Sequence, residues 1–318
     1  MRKQKISKSN LESARIIYGC MNLGNNRNRS ELTEGEMKIE AVKTINAALE
    51  QGINFFDHAD IYGKGKSEEM FSEIWKVHSG LREKIFLQSK CGIRFEGDPA
   101  PNSPHRFDFT YEHIVNSVEG SLKRLKTDYL DILLLHRPDP LVEPEEVARA
   151  FNDLKKHGKV KYFGVSNHTG YQIDLLKKYV DQPIVVNQLE LNLIHSDLIN
   201  AGIITNQRNP KDFIRGEGTL DYCMNNDLTI QAWSPLALGS FNENSSLMKI
   251  ISEISLNRNI PKEAVVTAWL LRHPAKIQPV IGTRRPDRIA AICKADSIEL
   301  TREEWYKLFI AGRGEDIP

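Results

Sequence analysis

Eight short runs of apolar, mostly β-branched residues recur along the chain, and longer amphipathic segments separate them. This alternation predicts βα units and a parallel sheet. The predicted strands are 15–20, 53–58, 84–90, 128–136, 160–167, 184–188, 228–234 and 278–282. The predicted helices include 36–51, 67–77, 111–125, 143–157 and 262–272. Eight βα units in about 300 residues predict a (β/α)8 TIM barrel with long mouth loops, and we expect residues 1–318 to form a single domain.

A doubly wound sheet is the alternative architecture. It requires a reversal of strand order and usually carries a Gly-rich first βα turn. The first turn here reads YGCMNLGNNRN, in which Gly19 and Gly24 lie too far apart for the GxGxxG pattern. The barrel is therefore favoured. Two segments, 92–108 and about 191–219, interrupt the alternation, and long irregular segments of this kind are usually binding loops or lids.

The composition excludes several classes of protein. The apolar fraction of 40% and the charged fraction of 27% are those of an ordinary globular protein. Lys plus Arg number 43 and Asp plus Glu number 42, so nothing favours a nucleic acid or a membrane as partner. The four cysteines are far apart and form no Cys/His cluster, which argues against a zinc site and a disulfide framework. We see no signal-peptide h-region or membrane-spanning run, and we expect a cytoplasmic protein.

The segment NFFDHADIYGKGKSE, residues 54–68, places reactive side chains directly after an apolar run. Chemistry in a barrel occurs at the carboxyl ends of the strands. The second predicted strand ends in Asp57, with Tyr62 in the loop that follows; the third ends in Lys90 and the fourth in His136. Charges buried at a barrel mouth are costly unless they are paired. We therefore expect these four side chains to work as a group.

The group has the composition of a proton donor. Asp57 can pair with Lys90, and Lys90 beside the Tyr62 phenol is expected to lower its pKa from about 10. A tyrosine tuned in this way can act as a general acid. Addition of hydride to a carbonyl needs such an acid, because the developing alkoxide must be protonated. His136 can donate or accept a hydrogen bond across the same pocket.

Other residues of this segment have plainer interpretations. His58 and Asp60 suggest a metal site, but no second His cluster has ligand spacing. We expect Asp60 to cap or brace the loop, and His58 to pack against the mouth or point away. Gly65, Lys66 and Ser67 resemble the end of a phosphate-binding loop, yet that pattern requires glycine where Asp60 stands. Ser67 is instead expected to cap the next helix.

The segments DHADIYG, QSKCG, LLLHRPDP, GKVKYFGVSN, NQLE and AWSPLALG follow one another at spacings similar to those of the aldo-keto reductases. The chain resembles this family over essentially its whole length, in particular its bacterial branch of NADPH-dependent oxidoreductases. The resemblance implies a (β/α)8 barrel, a nicotinamide coenzyme, a small carbonyl substrate and no metal. It also implies Tyr62 as proton donor, Lys90 and Asp57 as the groups that tune it, and His136 as the residue that orients the carbonyl.

The coenzyme site follows from the same resemblance. The ends of the fifth and sixth strands would hold the nicotinamide carboxamide, an indole would stack on the ring, and the next turn would lie along the pyrophosphate. The residues at these positions, in that order, are Ser166, Asn167 and Gln188, then Trp233, then Ser234 and Leu236.

NADPH rather than NADH is favoured by Thr283, Arg284 and Arg288, which match positions that contact the 2′-phosphate and adenosine in the family. Guanidinium groups bind phosphate bidentately, and a bare ribose hydroxyl would use them poorly. The sequence departs from many relatives at Gly282, where they have Lys, and at 291–292, where they have Glu-Asn.

The substrate pocket, an alternative function and the oligomeric state stay open at the level of sequence. The substrate pocket is expected to be partly apolar, with walls that include Met21, Trp75, Phe95, Phe107 and Leu238. A coenzyme-binding sensor or partner-binding subunit on the same fold is the alternative function. Monomer is the family default for the oligomeric state.

Overall fold

The computed structural model describes residues 1–24, 32–203, 218–243 and 245–318. Eight strands form a closed barrel in which neighbouring strands run parallel. They are β1 Ile17–Gly19, β2 Phe55–Asp57, β3 Phe86–Cys91, β4 Leu130–Leu135, β5 Val160–Ser166, β6 Ile184–Glu190, β7 Thr229–Trp233 and β8 Gln278–Ile281. Each overlaps a predicted strand, and the (β/α)8 fold class is confirmed.

Helices follow the strands around the barrel. Within the described residues they are α1 Glu34–Glu50, α2 Lys66–Ser72, α3 Tyr111–Leu125, α4 Pro144–Lys156, α5 Gly170–Lys177, α6 Asp197–Ile203, α7 Thr219–Asn225, α8 Ser246–Arg258, α9 Lys262–Arg272, α10 Pro286–Cys293 and α11 Arg302–Arg313. Short 3-10 helices are Cys20–Asn22, Glu73–Lys76, Arg82–Lys84, Ala237–Gly239 and Lys294–Ser297. Two of the predicted helices, α3 and α9, match in both bounds.

Helix starts follow local chemistry, with one correction. Thr110 accepts a hydrogen bond from the backbone N–H of His113 and caps α3, and Pro144 is the first residue of α4, where no backbone donor is needed. The prediction that Ser67 caps α2 is wrong. Gly65 occupies that position with a φ of 89°, which glycine adopts without strain. Ser67 lies inside the first turn, where it is buried and donates to a backbone carbonyl of the first βα loop at 2.9 Å.

The barrel interior is closed at the amino-terminal ends of its strands. An antiparallel hairpin, Lys3–Lys5 with Glu12–Ala14, precedes β1. Ile6 and Leu11 in its loop are buried in a cluster with Ile17 and Phe55, the first residues of β1 and β2. Because this end is filled with apolar side chains, a ligand enters from the opposite end, where the predicted site residues lie.

The two long segments contain structure that sequence did not predict. In the first, Ile93–Arg94 pairs antiparallel with Arg106–Phe107, and Arg94 forms an ion pair with Asp108 at 2.6 Å. In the second, α6 and the start of α7 are formed, and residues 204–217 lie outside the described part of the chain.

The described ranges contain neither a membrane-spanning helix nor a cluster of metal ligands. None of the helices described here combines the length and apolarity needed to cross a bilayer. Residues 1–24, 32–203, 218–243 and 245–318 contain no group of three or more His, Cys, Asp or Glu side chains placed to hold a metal ion.

Candidate active site

The ammonium group of Lys90 brings together the side chains that sequence placed at the mouth. Its Nζ donates to Asp57 Oδ2 at 2.7 Å, to the His58 carbonyl oxygen at 2.8 Å and to Tyr62 Oη at 3.0 Å. An ammonium has three hydrogens, so all of its donor capacity is used. The Lys90 side chain is fully buried and that of Asp57 is 3% exposed. The arrangement is therefore a desolvated ion pair with a phenol as its third partner.

The loop after β2 holds Tyr62 by backbone pairing that continues beyond the strand. The N–H groups of His58 and Asp60 donate to the carbonyl oxygens of Gln88 and Lys90, at 2.8 and 3.0 Å. The chain then turns sharply, and the Tyr62 carbonyl oxygen accepts from the N–H groups of residues 65 and 67. Gly63 is required at this turn, because a Cβ there would lie 2.8 Å from a backbone oxygen of the first βα loop.

The expectation that Tyr62 has a lowered pKa is wrong. Burial raises the pKa of the Tyr62 phenol above its ordinary value, and the nearby Lys90 charge, which favours the phenolate, opposes this only in part. Burial also acts to lower the pKa of Lys90, but Asp57 and Tyr62 outweigh it and the pKa of Lys90 is raised. The phenol is therefore protonated and the ammonium charged at neutral pH. This is the protonation state that a proton donor needs.

His136 faces Tyr62 edge to face, with ring centroids 5.9 Å apart and planes at 83°. Burial lowers the pKa of His136 well below its ordinary value, and the charges of Lys90 and Arg137 lower it further. The imidazole is consequently neutral at physiological pH. A neutral ring has one donor and one acceptor nitrogen, so His136 can hydrogen-bond a carbonyl oxygen without adding charge.

A connected set of polar groups lies at the ends of β5, β6 and β7. The Ser166 hydroxyl donates to the Gln188 carbonyl oxygen at 2.8 Å, and Asn167 Nδ2 donates to Ser166 Oγ at 2.8 Å. The Trp233 indole N–H donates to Asn167 Oδ1 at 3.1 Å. Asn167 has a φ of 61°, a left-handed conformation that Asn tolerates better than most residues. The network sets the orientation of the Trp233 ring.

These groups line one cavity of about 410 Å³. Two of the thirteen predicted site residues, Lys90 and Arg284, are not among the residues that line the cavity. Lys90 lies behind the cavity wall. Arg284 lies beside the cavity, and its Nη1 donates to the Asn22 carbonyl oxygen at 3.0 Å. The predicted residues that line the cavity are Asp57, Tyr62, His136, Ser166, Asn167, Gln188, Trp233, Ser234, Leu236, Thr283 and Arg288.

The expected apolar wall is only partly correct. Met21 lines the cavity, whereas Trp75, Phe95 and Phe107 do not. The Trp75 indole packs on the helix side and donates to the Leu125 carbonyl oxygen at 2.7 Å. The side chain of Leu238 lies outside the described part of the structure.

Sequence reasoning missed Arg137. It lines the cavity beside His136, with its guanidinium carbon 5.5 Å from the centroid of the Trp233 ring. Its position directly after a strand-end histidine was the available signal. Asn22 was also missed as a specific contact; its Nδ2 donates to the Gly282 carbonyl oxygen at 2.9 Å.

Comparison with known proteins agrees with this geometry. The model of the "Aldo/keto reductase family" matches residues 15–310. The chain belongs to this family. The prediction made from the motifs is thereby confirmed, and the protein is an oxidoreductase. The family uses nicotinamide coenzymes, generally NADPH, and acts on small carbonyl compounds.

Individual relatives match over nearly their full length. The chain is 38% identical to the oxidoreductase YcsN of Bacillus subtilis (strain 168), covering 97% of each protein. It is 36% identical to a 6-dehydroglucose reductase of Agrobacterium fabrum, covering 99% of each.

Two solved structures extend the comparison. A thermostable aldo-keto reductase in complex with the inhibitor epalrestat superimposes with a TM-score of 0.77 at 25% identity, covering 97% of this chain and 99% of that one. A glycerol dehydrogenase of Gluconobacter oxydans gives a TM-score of 0.79 at 22% identity, covering 99% and 97%. The second likeness concerns the fold alone.

Proposed function

We propose that this protein is an NADPH-dependent carbonyl reductase in which Tyr62 protonates the developing alkoxide. The observation that carries the proposal is the triple hydrogen bonding of Lys90 to Asp57, to the His58 backbone and to Tyr62. This places a neutral phenol in the cavity wall with a fixed positive charge 3.0 Å behind its oxygen. When the phenol gives up its proton, the ammonium stabilises the phenolate that forms.

The polar groups along the cavity fit a nicotinamide dinucleotide. Amide and hydroxyl groups of Ser166, Asn167 and Gln188 line the same cavity as Tyr62 and suit a carboxamide. The indole of Trp233 offers an apolar face for the ring. The bound coenzyme would supply the hydride. We assign Ser234 and Leu236 to the pyrophosphate.

The far end of the cavity supports the phosphorylated coenzyme. Thr283 and Arg288 line it, and Arg284 lies beside it. Arg288 also approaches Glu263, with 3.4 Å between Nε and Oε1. A guanidinium that is already near a carboxylate keeps further N–H groups for a 2′-phosphate. We therefore propose NADPH as the preferred coenzyme, with Thr283, Arg284 and Arg288 as its 2′-phosphate and adenosine contacts.

Around the substrate, the chain's own groups have separate tasks. Tyr62 holds the proton at Oη, and the Lys90 ammonium supplies the charge that makes its loss easier. Asp57 holds that ammonium in place through its hydrogen bond to Nζ. The neutral imidazole of His136 orients the carbonyl oxygen. Sugar aldehydes are the first substrates to test, because a relative with 36% identity is named 6-dehydroglucose reductase.

The first test combines coenzyme binding with turnover. Tryptophan fluorescence of the purified protein is titrated with NADPH and NADH, and aldehydes are then screened by NADPH oxidation. We expect tighter binding of NADPH, and we expect Tyr62→Phe to lower kcat by about 10²–10⁴-fold, the contribution of a general acid, with nearly unchanged NADPH affinity. Full turnover by the variant would reject the assignment of Tyr62. Tight NADPH binding by the wild type with no carbonyl reduction would favour the alternative, a coenzyme-binding sensor.

We also propose that residues 1–318 work as one domain, as a monomer and in the cytoplasm. The described cavity wall draws its residues from β1 through α10, which supports a single domain. Light scattering of the active enzyme tests the monomer directly, and a dimer at assay concentration would contradict it.

A further inference from the structure

Three glutamine side chains meet inside the barrel beneath Asp57. Gln88 lies on β3, Gln188 on β6 and Gln231 on β7, and all three are buried. Gln188 and Gln231 are directly opposite each other in the β6–β7 pairing. Burial of a primary amide inside an apolar barrel costs free energy unless its hydrogen bonds are made there.

The three amides bond to one another and to the carboxylate. Asp57 Oδ1 accepts from Gln88 Nε2 at 2.6 Å and from Gln188 Nε2 at 3.0 Å. Gln231 Oε1 accepts from the same two nitrogens, at 2.8 and 2.9 Å. Gln231 Nε2 donates in return to Gln88 Oε1 at 3.3 Å. The other carboxylate oxygen, Asp57 Oδ2, accepts from Lys90.

The carboxylate determines which way each amide points. An ionised carboxylate only accepts hydrogen bonds, so Gln88 and Gln188 must both turn their NH₂ groups towards Asp57. Their second hydrogens then face Gln231, which must present its oxygen to both. Rotating the Gln188 amide by half a turn would bring its oxygen against Asp57 Oδ1 and Gln231 Oε1, three acceptors with no hydrogen between them. Such a group of unpaired buried acceptors is strongly unfavourable.

This orientation has a consequence for the cavity. Both amide hydrogens of Gln188 are committed, one to Asp57 and one to Gln231. The group that Gln188 retains for a ligand is its carbonyl oxygen, an acceptor, and Gln188 lines the cavity. An acceptor at this place matches the NH₂ donor of a carboxamide and mismatches a ligand that lacks the donor.

We propose that Gln231 and Gln88 are positioning residues for coenzyme recognition: they hold the Gln188 amide with its oxygen towards the cavity, so that it accepts from the nicotinamide carboxamide. The inference rests on the proposed function, because it needs Gln188 to contact that carboxamide. It adds two residues that do not line the cavity. It also joins coenzyme recognition to the acid–base group through a single atom, Asp57 Oδ1.

The test compares two coenzymes that differ only in this donor. In the 3-acetylpyridine analogue of NADP⁺ a methyl group replaces the carboxamide NH₂. Dissociation constants of both are measured by tryptophan fluorescence for the wild type and for Gln231→Met, a variant of similar length without the amide. We expect the wild type to prefer NADP⁺ by roughly fivefold, the effect of about one hydrogen bond. In Gln231→Met the Gln188 amide keeps its bond to Asp57 but loses the one to Gln231. We therefore expect a less well held amide, weaker NADP⁺ binding, unchanged binding of the analogue and a preference lower than that of the wild type.

Gln278→Met is the matched control. Gln278 on β8 is also buried and stands opposite Gln231 in the β7–β8 pairing. Its amide donates to Ser13 Oγ and to the Ala14 carbonyl oxygen, each at 3.0 Å, and not to the Asp57 group. Both variants lose a buried amide and should lose stability, but Gln278→Met should keep the wild-type coenzyme preference. Thermal unfolding of each variant separates the two effects.

Each result has a separate meaning. A preference retained in a folded Gln231→Met overturns the inference and leaves the reductase function standing. If the wild type binds NADP⁺ and the analogue equally well, Gln188 does not accept from the carboxamide and the inference is overturned. If the wild type does not bind NADP⁺ at all, the proposed function itself is overturned. If Gln231→Met does not fold, Gln88→Met takes its place, because it removes the partner that accepts from Gln231 Nε2. We then expect a smaller fall in preference, and an unchanged preference overturns the inference.

Discussion

The six residues 57–62 present similar side chains in two opposite directions. Asp57 and Tyr62 line the cavity. His58 and Asp60, of the same chemical types as the cavity's aspartate and histidine, turn away from it towards α2 and α3. The His58 ring packs edge-on against Phe71 of α2, with centroids 4.6 Å apart. The segment is therefore a boundary between a reactive surface and a packed interior.

The helix-facing pair, His58 and Asp60, has strongly shifted pKa values although neither residue lines the cavity. Burial lowers the pKa of His58 to about 3, and neither ring nitrogen has a hydrogen-bond partner among the described residues. Burial, together with the charge of Glu68, raises the pKa of Asp60 to about 7, against the opposing effects of Ser117 and Arg124. A shifted pKa alone thus fails to identify the reactive residues. Contact with the cavity and the presence of a charged partner distinguish the two sides.

The largest expected effect is on the cavity side, in Lys90→Met. The variant leaves the phenol without its cation, and we expect kcat/KM to fall by about 10³-fold. It also leaves Asp57 buried without its counterion, which typically costs about 3–5 kcal/mol of unfolding free energy. Steady-state kinetics and urea unfolding measure the two quantities.

Lys161→Met is the control for this variant. Lys161 pairs with the buried Asp131 at 3.2 Å, away from the cavity, and Asp131 keeps a second partner in Arg82. We expect Lys161→Met to change the free energy of unfolding but to keep kcat/KM within about twofold of the wild type. If Lys90→Met retained a tenth or more of the wild-type kcat/KM, the ion pair of Lys90 and Asp57 would have a structural role only, like His58 and Asp60.

Asp60→Asn is expected to change the pH dependence of stability and to affect turnover little. Because the pKa of Asp60 rises from 3.8 to about 7 on folding, the folded protein binds a proton that the unfolded chain releases between these values. Stability from this group is full below pH 3.8 and is lost as the pH rises to about 7, by up to roughly 4 kcal/mol. The variant should lack this loss.

Chemical unfolding at several pH values from 4 to 8 tests this expectation. Asp128→Asn, at an exposed position, serves as the control and should follow the wild-type curve. If the free energy of unfolding of Asp60→Asn changes with pH in parallel with that of the wild type, Asp60 is ionised in the folded protein. A large fall in kcat would instead place Asp60 in the reaction.

The smallest expected effect is in His58→Leu, and its sign is opposite. The pKa of His58 falls from 6.5 to about 3 on folding, so the folded protein excludes a proton that the unfolded chain binds below 6.5. Its contribution is present above pH 6.5 and is lost on acidification, on the order of 2 kcal/mol by pH 5. We expect the variant to lose less stability than wild type between pH 7.5 and pH 5. The exposed His157→Leu is the control, and equal losses in all three proteins would contradict the assignment.

Much of the site was predictable from strand ends. Carboxyl ends of parallel strands in a barrel share one rim, so Asp57, Lys90 and His136 had to converge once β2, β3 and β4 were recognised. Local chemistry also explains the starts of α3 and α4, because capping depends on residues a few positions apart. These inferences need only the order and period of the sequence.

Other features depend on distances that no local pattern contains. Ser67 has the side chain of a helix cap, but the close approach of the first βα loop buries it and leaves the cap position to Gly65. The pKa of Tyr62 rises although Lys90 lies 3.0 Å away, because burial opposes the phenolate more strongly than one cation favours it. The balance between burial and a nearby charge cannot be read from neighbours in sequence.

By itself, the sequence determined the eight βα units, the rim on which the reactive side chains meet and the family to which the chain belongs. The first two follow from periodicity and from the types of residue at strand ends, and the family follows from the resemblance of the motifs. Only the tertiary structure decided that burial outweighs the Lys90 charge at Tyr62, and which way the buried glutamines Gln88, Gln188 and Gln231 point. The reason is physical: a hydrogen-bond direction inside the barrel is set by the Asp57 carboxylate. It lies 31 and 131 residues from Gln88 and Gln188 along the chain but within 3.0 Å of both in space.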